Sequence, residues 1–493
     1  MLVAWETTIN TRQPVRMTSL LSVGRRAGIP VLACLLTTAC GGATPALEGP
    51  AAEVHALTGA RTRVVWGQHD GRDPRLQGDQ IALMGFDSDD GRGERAILEQ
   101  RGSYVKPLIT PRGDRIVYST RPKPGPPEVF IVNWDGTGRR KLADGFAMAL
   151  WADPADRREW LYLGVDPVGF GTKTVVRFPI DRPERREPVW TKSEISTEGF
   201  TVSPDGRHAS GLVPWPKAGV VELPNGRLRV RGNGCWTSLT HARGPVLWYF
   251  DGAHRNVTLV DVDSDTRWMV NINGAPGFDG AEVFHPRWTN HSRVLVISGP
   301  YNQGGRNQAR TGGPQVEIYL GRFSADYSKV EAWARVTRND FGDSYPDAWI
   351  DVDRSRLPQR PSGPIGPEHV RPATQAGGTA AGADAGRLLL NVQLTKPTAV
   401  PTPEEILPYR HALVVNEYKV VDTVNGTYKD KTIPIARWAI RDGRVLPEAR
   451  LAAGAGATLA VERYDAHPEL EGERLVSDSR STLPLYYDVT ASR

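Results

Sequence analysis

The chain has 493 residues, 39% of them hydrophobic and 24% charged, with 51 Gly and 39 Pro. That length allows roughly two or three domains of about 100–200 residues, and fractions this close to globular averages exclude wholesale disorder. No run beyond the N-terminus approaches ~18 consecutive apolar residues, which excludes a multi-span helical membrane protein; recurrent Gly and Pro exclude a long coiled coil. Fourteen Trp and fourteen Tyr among abundant turn residues point to an all-β chain. The formal charge is +5, but Arg12, Arg16, Arg25, Arg26 and Glu6 precede Cys40, leaving 57 basic against 55 acidic residues beyond them. A nearly neutral chain lacks the basic stripe that nucleic-acid binding requires.

The N-terminus reads as an address. An Arg pair (Arg25, Arg26), a short apolar run over 27–36 and small residues before a cysteine form a secretory signal too short to span a bilayer. The cysteine makes the segment resemble a bacterial lipoprotein signal, in which cleavage precedes a cysteine that carries diacylglycerol. Cys40 follows Thr37, Thr38 and Ala39, with Leu36 one place earlier than the pattern wants. Cys34 follows Val31, Leu32 and Ala33 but leaves an apolar core at the lower limit of length. Cys40 is preferred, because the Gly-Gly-Ala-Thr-Pro stretch after it resembles the usual tether, and Met17 is an alternative start. Two acyl chains make membrane attachment stable. By resemblance to lipoprotein sorting, Gly41 in place of Asp implies the outer membrane. Residues 1–39 are thus expected as signal and 40–59 as lipidated tether. Cys235 is then left without an intrachain disulfide partner and is expected as a small buried apolar residue.

Residues 60–351 carry a degenerate repeat. Apolar anchors at 109, 151, 202, 239, 288 and 349 each precede a polar turn, as in Ile109-Thr110-Pro111-Arg112-Gly113 and Val202-Ser203-Pro204-Asp205-Gly206. Three further strand-like runs follow each turn, the unit's third strand ending in a polar turn such as Asp135-Gly136, a hairpin signal. Four short strands per unit at ~40–50-residue spacing describe a β-propeller blade. The Gly/Gln-rich insert 302–314 is expected as a loop. Ser203-Pro204-Asp205-Gly206, Asn133-Trp134-Asp135-Gly136 and the run from Thr337 to Trp349 resemble TolB-like propeller repeats. The resemblance covers residues 60–351 and implies the fold more than a function.

The first and last units are each incomplete. Residues 62–66, 80–86 and 95–98 supply three strands with no opening element, whereas 345–351 is an opening element with nothing after it. Pairing the two removes exposed edges and predicts six blades, with 345–351 in the blade that contains 62–98. Residues 352–386 are Pro-, Ala- and Gly-rich and read as a linker. Strand-length runs within 387–493, with turns at Asn425-Gly426 and Asp442-Gly443, predict a small β domain of OB-barrel type.

Chemistry leaves few traces. There is no Gly-x-Ser-x-Gly elbow, His-Glu-x-x-His, Cys-x-x-Cys or phosphate loop, and no cofactor or metal is expected. Gly91-x-Gly93 and Asp261-x-Asp263-x-Asp265 imitate nucleotide and calcium loops, but each lacks the required context and reads as a turn. His467, between Asp465 and Glu469, reads as part of a solvated loop. Trp151, Trp288 and Trp349 read as packing residues. Two functions fit: an anchored module that binds an envelope protein, peptide or glycan, or a carbohydrate lyase or hydrolase using channel carboxylates. The lack of a nucleophile motif favours the first. Its binding rim is expected at Asp144, Phe146, Phe278, His285, Asp343 and Tyr345, in loops that enter each first strand.

Overall fold

The computed structural model describes residues 49–301 (except 74, 123, 168 and 214), 315–353, 365–366 and 386–490. The leader, Cys40 and the 302–314 insert lie outside the described residues, as does most of the expected linker. Six four-stranded antiparallel sheets form the propeller. Blade 1 runs outward from Gly342–Ile350 through Thr62–His69 and Ala82–Asp87 to Arg95–Ala96. Blades 2 to 6 open with Val105–Ile109, Phe146–Ala152, Thr201–Val202, Cys235–Leu239 and Glu282–Trp288. These innermost strands surround the central channel. Second strands are sandwiched by neighbouring blades and are nearly continuously apolar and buried, as in Val246–Phe250. Fourth strands meet solvent and alternate, as in Arg267–Asn271.

Ring closure follows the expectation. Gly342–Ile350 pairs antiparallel with Thr62–His69, with Val64 opposite Ala348 and Thr62 opposite Ile350. Val64 and Trp66 then pack with Val294, Val296, Ile318 and Leu320 of blade 6. A departure lies just upstream. The stretch expected as tether holds a helix, Gly49–Thr58, which buries Val54 and Leu57 against this same seam. Pro50 suits the first turn of a helix, and Val54, Leu57 and Thr58 recur at helical spacing, so a Gly/Ala/Pro composition concealed a real element. Arg338 holds the helix through both oxygens of Glu53, at 2.8 Å each.

The repeat's turn has a packing role. Trp349 in blade 1 donates its indole N–H to Pro111 O in blade 2 at 3.0 Å, and Trp151 in blade 3 donates to Pro204 O in blade 4 at the same distance. Each ring lies over the turn glycine: a Cβ on Gly113 or Gly206 would sit 2.5 Å from it, and both residues have positive φ. Trp288 instead donates to His291 O within its own blade.

The C-terminal region is a closed five-stranded barrel. Leu388–Lys396, Ala412–Asn425, Thr432–Arg441, Tyr486–Asp488 and Gly456–Arg463 follow one another around it and return to the first. Only the Thr432–Arg441/Tyr486–Asp488 pair is parallel among these five. This Greek-key order fits the expected OB type. Leu390, Val392, Leu394, Tyr418, Ile433 and Val461 fill its interior.

The seam contains a buried acid. Asp343 is fully buried and accepts hydrogen bonds from Trp66 Nε1 (2.8 Å), Gln68 Nε2 (3.1 Å) and Asn339 Nδ2 (2.9 Å). Burial outweighs these donors and pushes its pKa up to about 7. The folded state therefore holds the proton to higher pH than the unfolded chain, so this stabilisation is complete below about pH 4 and lost as pH rises through about 7. Asp343→Asn turns an amide N–H toward one of these donors at a pH-independent cost, and its Tm relative to wild type should rise between pH 5 and pH 8. A wild-type-to-variant difference in Tm that stays constant with pH would contradict this.

Candidate functional site

Five of the six innermost strands share a defect. In blade 1, Tyr345 and Pro346 together oppose the single residue Trp66; Lys106-Pro107 opposes Tyr118 and His285-Pro286 opposes Ile297 in the same way. Blades 3 and 5 have matching interruptions at Met148 and Trp236. These are β-bulges, which re-aim a side chain at the cost of ladder bonds, and proline suits them because it has no N–H to lose. Lys106, Trp236, His285 and Tyr345 all have φ between 47° and 64°, outlying values for large side chains.

The bulges gather a buried aromatic and polar cluster at the end of the channel where the innermost strands begin. The His285 and Tyr345 rings stack with centroids 3.9 Å apart, and Trp236 meets His285 edge-on at 5.5 Å. Tyr345 Oη donates to Glu198 Oε2 at 3.0 Å, and Arg121 donates to Glu198 Oε1 at 3.1 Å. Fully buried, Lys106 donates from Nζ to Met148 O (2.6 Å) and Thr197 O (2.8 Å). Burial, reinforced by Arg287, holds its pKa well below the ordinary lysine value. Asp347 pairs with Arg287 at 3.1 Å and accepts from Ile109 N at 2.7 Å; burial raises its pKa.

The barrel closes this end. Its loop over residues 397–411 places Ile406 and Tyr409 against Trp215 and Cys235 of the propeller. Tyr409 Oη lies 3.0 Å from His254 Nε2, and its ring meets Trp215 edge-on at 5.2 Å. Arg474, 1% exposed, pairs with Glu282, 0% exposed, at 2.7 Å and donates to Gly252 O at 2.9 Å. Gly252 N donates to Glu471 O, and Leu475 N to Gly252 O, so two backbone bonds also cross the junction. What remains is a cavity of about 100 Å³ whose walls include Arg75, Trp236, Phe284, His285, Tyr345 and Tyr409.

The opposite end has no such cover among the described residues. There a cavity of about 220 Å³ receives residues from all six blades, among them Pro111, Trp151, Pro204, His241, Asn290 and Trp349.

Of the six expected rim residues, the structure brings together His285 and Tyr345, as stacked neighbours. Phe146 is buried nearby, with Arg121 5.6 Å above its ring. Asp144 is exposed at the end of a fourth strand and pairs with Lys141 at 2.6 Å. Phe278 packs edge-on against Tyr319 inside blade 6, and Asp343 lies in the closure seam. His285, Asp343 and Tyr345 stand in strands rather than entry loops. Lys106, Glu198, Trp236 and Arg75 were not anticipated. A residue-Pro pair inside an otherwise strand-like run was the signal for the first, and it recurs at 285–286 and 345–346.

Burial fixes the protonation state of several groups in and around the cluster. Burial pushes the Cys235 thiol up to about 11 and the Tyr409 and Tyr345 phenols well above their usual value, so all three stay protonated. Burial pushes His285 down to about 3, leaving a neutral ring. The channel carboxylates Glu198 and Asp347 are both engaged by arginines. No group of three or more His, Cys, Asp or Glu side chains with metal-binding geometry occurs among the described residues. His467 has both ring nitrogens near carboxylates, Glu469 at 2.9 Å and Glu462 at 3.1 Å.

The Arg474–Glu282 pair gives a direct test of barrel docking. Removing one partner leaves a buried charge, so Arg474→Met should cost about 3–5 kcal/mol in denaturant unfolding. Adding Glu282→Gln should restore most of that loss. A single variant that unfolds like wild type would show that the junction does not depend on the pair.

No protein-family model matches this chain, and no curated protein matches it. Among solved structures, TolB from Acinetobacter baumannii is similar at 15% identity over 60% of this chain and 70% of that one, with a TM-score of 0.40. A putative TolB from Agrobacterium tumefaciens shows 15% identity over 42% and 68%, TM-score 0.30. The periplasmic gluconolactonase of Pseudomonas aeruginosa shows 12% identity over 60% and 100%, TM-score 0.35. No residue role is carried over from them; the six-blade assignment stands on the strand pairings, and this chain is a six-bladed propeller joined to a five-stranded barrel.

Proposed function

We propose that this protein is a lipid-anchored envelope module that binds a segment of another envelope protein at the uncovered mouth of its propeller. The observation that carries the reading is the inequality of the two channel ends. One is occupied by the barrel's 397–411 loop, and the other presents a concave surface to which every blade contributes. Pockets with this mix of indole edges, backbone carbonyls and a few charges suit an inserted peptide. The envelope assignment rests on the signal-like N-terminus and on Cys40 as the lipidated residue, with the outer membrane as destination. No helix among the described residues is long and apolar enough to cross a membrane.

A photo-crosslinking residue at Arg157, which lines the uncovered mouth, should give a discrete adduct in cells. The same residue at Asp144, on the outer edge of blade 2, should give none. Cys40→Ser should release the chain from the membrane fraction and abolish the adduct, whereas Cys34→Ser should do neither. Equal adducts from both positions, or none from Arg157, would contradict the reading.

A further inference from the structure

The uncovered mouth has a donor at its floor that the fold does not use. The innermost strands run toward this mouth, so Arg287 lies deeper than Thr289 and Asn290 at the rim. Its Nε meets Asp347 at 3.1 Å, and its two terminal nitrogens have no acceptor among the described residues. The side chain is 14% exposed and lines the cavity, so those nitrogens are not sealed away from it. The acids around the cavity are engaged. Asp347 also accepts from Ile109 N at 2.7 Å, Asp153 accepts from Ala155 N at 2.9 Å, and Asp353 has a partner of its own. Arg157 adds a second cation, but at the exposed rim, where water screens it. The unused capacity at the floor is therefore that of a guanidinium, which calls for an anionic acceptor.

Above Arg287 the walls are largely apolar, with Leu150, Trp151, Val202, Leu239 and Trp349 contributing. Trp151 and Trp349 have already given their N–H groups to Pro204 O and Pro111 O, so they present ring surface rather than donors. His241 lines the same space as a neutral ring, its pKa lowered by burial to about 4. The cavity of about 220 Å³ exceeds the ~150 Å³ that accepts benzene, which leaves room for a side chain of ring size. The opening above it lets the rest of a chain lead out. A carboxylate at the bottom, one apolar side chain beside it and a single chain direction toward solvent together describe the end of a polypeptide.

We propose that the uncovered mouth receives the C-terminus of its partner, with the terminal carboxylate on the two Nη atoms of Arg287 and an apolar last side chain against the tryptophans. The proposal rests on reading that mouth as a peptide site and specifies which end of the peptide enters. Two parallel N–H···O bonds from one planar guanidinium match a carboxylate and discriminate against an amide.

Random heptapeptides displayed with a free C-terminus, and a second library displayed with a free N-terminus, provide the test when selected on the full mature chain. The first library should enrich peptides with an apolar last residue. Amidating a selected peptide should weaken its binding to the wild-type chain at least tenfold in titration calorimetry, a comparison that needs no variant. Arg287→Lys keeps a charge beside Asp347 without the planar fork and should weaken the free acid several-fold; Arg287→Gln should do so at least tenfold. No enrichment from the free C-terminal library, equal binding of acid and amide, or undiminished binding by a folded Arg287→Gln would overturn the proposal. In cells, the adduct at Arg157 should fall when Arg287→Gln is added. An adduct that persists undiminished there would overturn this proposal alone, whereas its absence from the otherwise wild-type chain would overturn the peptide-site reading beneath it.

Discussion

The pairing of Gly342–Ile350 with Thr62–His69 is the constraint on which the rest of the protein depends. A six-bladed sheet ring without it would end in two unpaired edges, and the channel would have no fixed diameter. The same nine-residue strand does more than close the ring. Tyr345 projects into the aromatic cluster, Asp347 bonds Ile109 N in blade 2, and Trp349 covers the turn of blade 2. Asn290 of blade 6 clasps Ile350 through both its N–H and C=O, at 2.7 Å each. Closure, blade spacing and one wall of the site are therefore a single structural event. The helix Gly49–Thr58 reinforces it from outside by covering the blade 6–blade 1 junction.

Onto this ring the protein adds a repeated irregularity. Left-handed backbone at large residues costs roughly 1–3 kcal/mol each and persists only where surroundings fix it. Here the fixing contacts are visible: Lys106 is held by two carbonyls, His285 by Ser298 Oγ at 3.0 Å and Tyr345 by Glu198. The barrel then takes advantage of the end so formed. Its loop over 397–411 enters with Tyr409, while Arg474 meets Glu282, the first residue of blade 6's innermost strand. The two ends of one channel thereby become unlike: one is covered by the barrel loop, and the other is uncovered among the described residues.

Much of the architecture was legible in the chain because it is written in short-range chemistry. Asp-Gly and Pro-x-Gly turns need specific backbone conformations, and anchors such as Trp151 and Trp349 recur one per blade, so strand order followed from spacing and closure from the complementary gaps in the first and last units. The site was only partly legible. His285 and Tyr345 stood out, yet their partners Trp236, Glu198 and Arg75 are separated from them by tens to hundreds of positions, and no local pattern connects them. Asp343 and Phe278 looked like rim residues because polar and aromatic side chains near strand starts resemble binding positions. In the folded chain one is a seam acceptor and the other is blade core. The helix was missed for the opposite reason: its small residues resemble a tether until Val54 and Leu57 are seen to share a face.

Hydrogen exchange under increasing denaturant measures the central claim most directly. If the seam unifies the ring, amides of Thr62–His69 and Gly342–Ile350 should lose protection together, at the denaturant concentration that also exposes the second strands of blades 3 and 4. Exchange of Gly342–Ile350 at markedly lower denaturant, with blades 2 to 6 still protected, would show that closure is an accessory to the ring and would contradict the account.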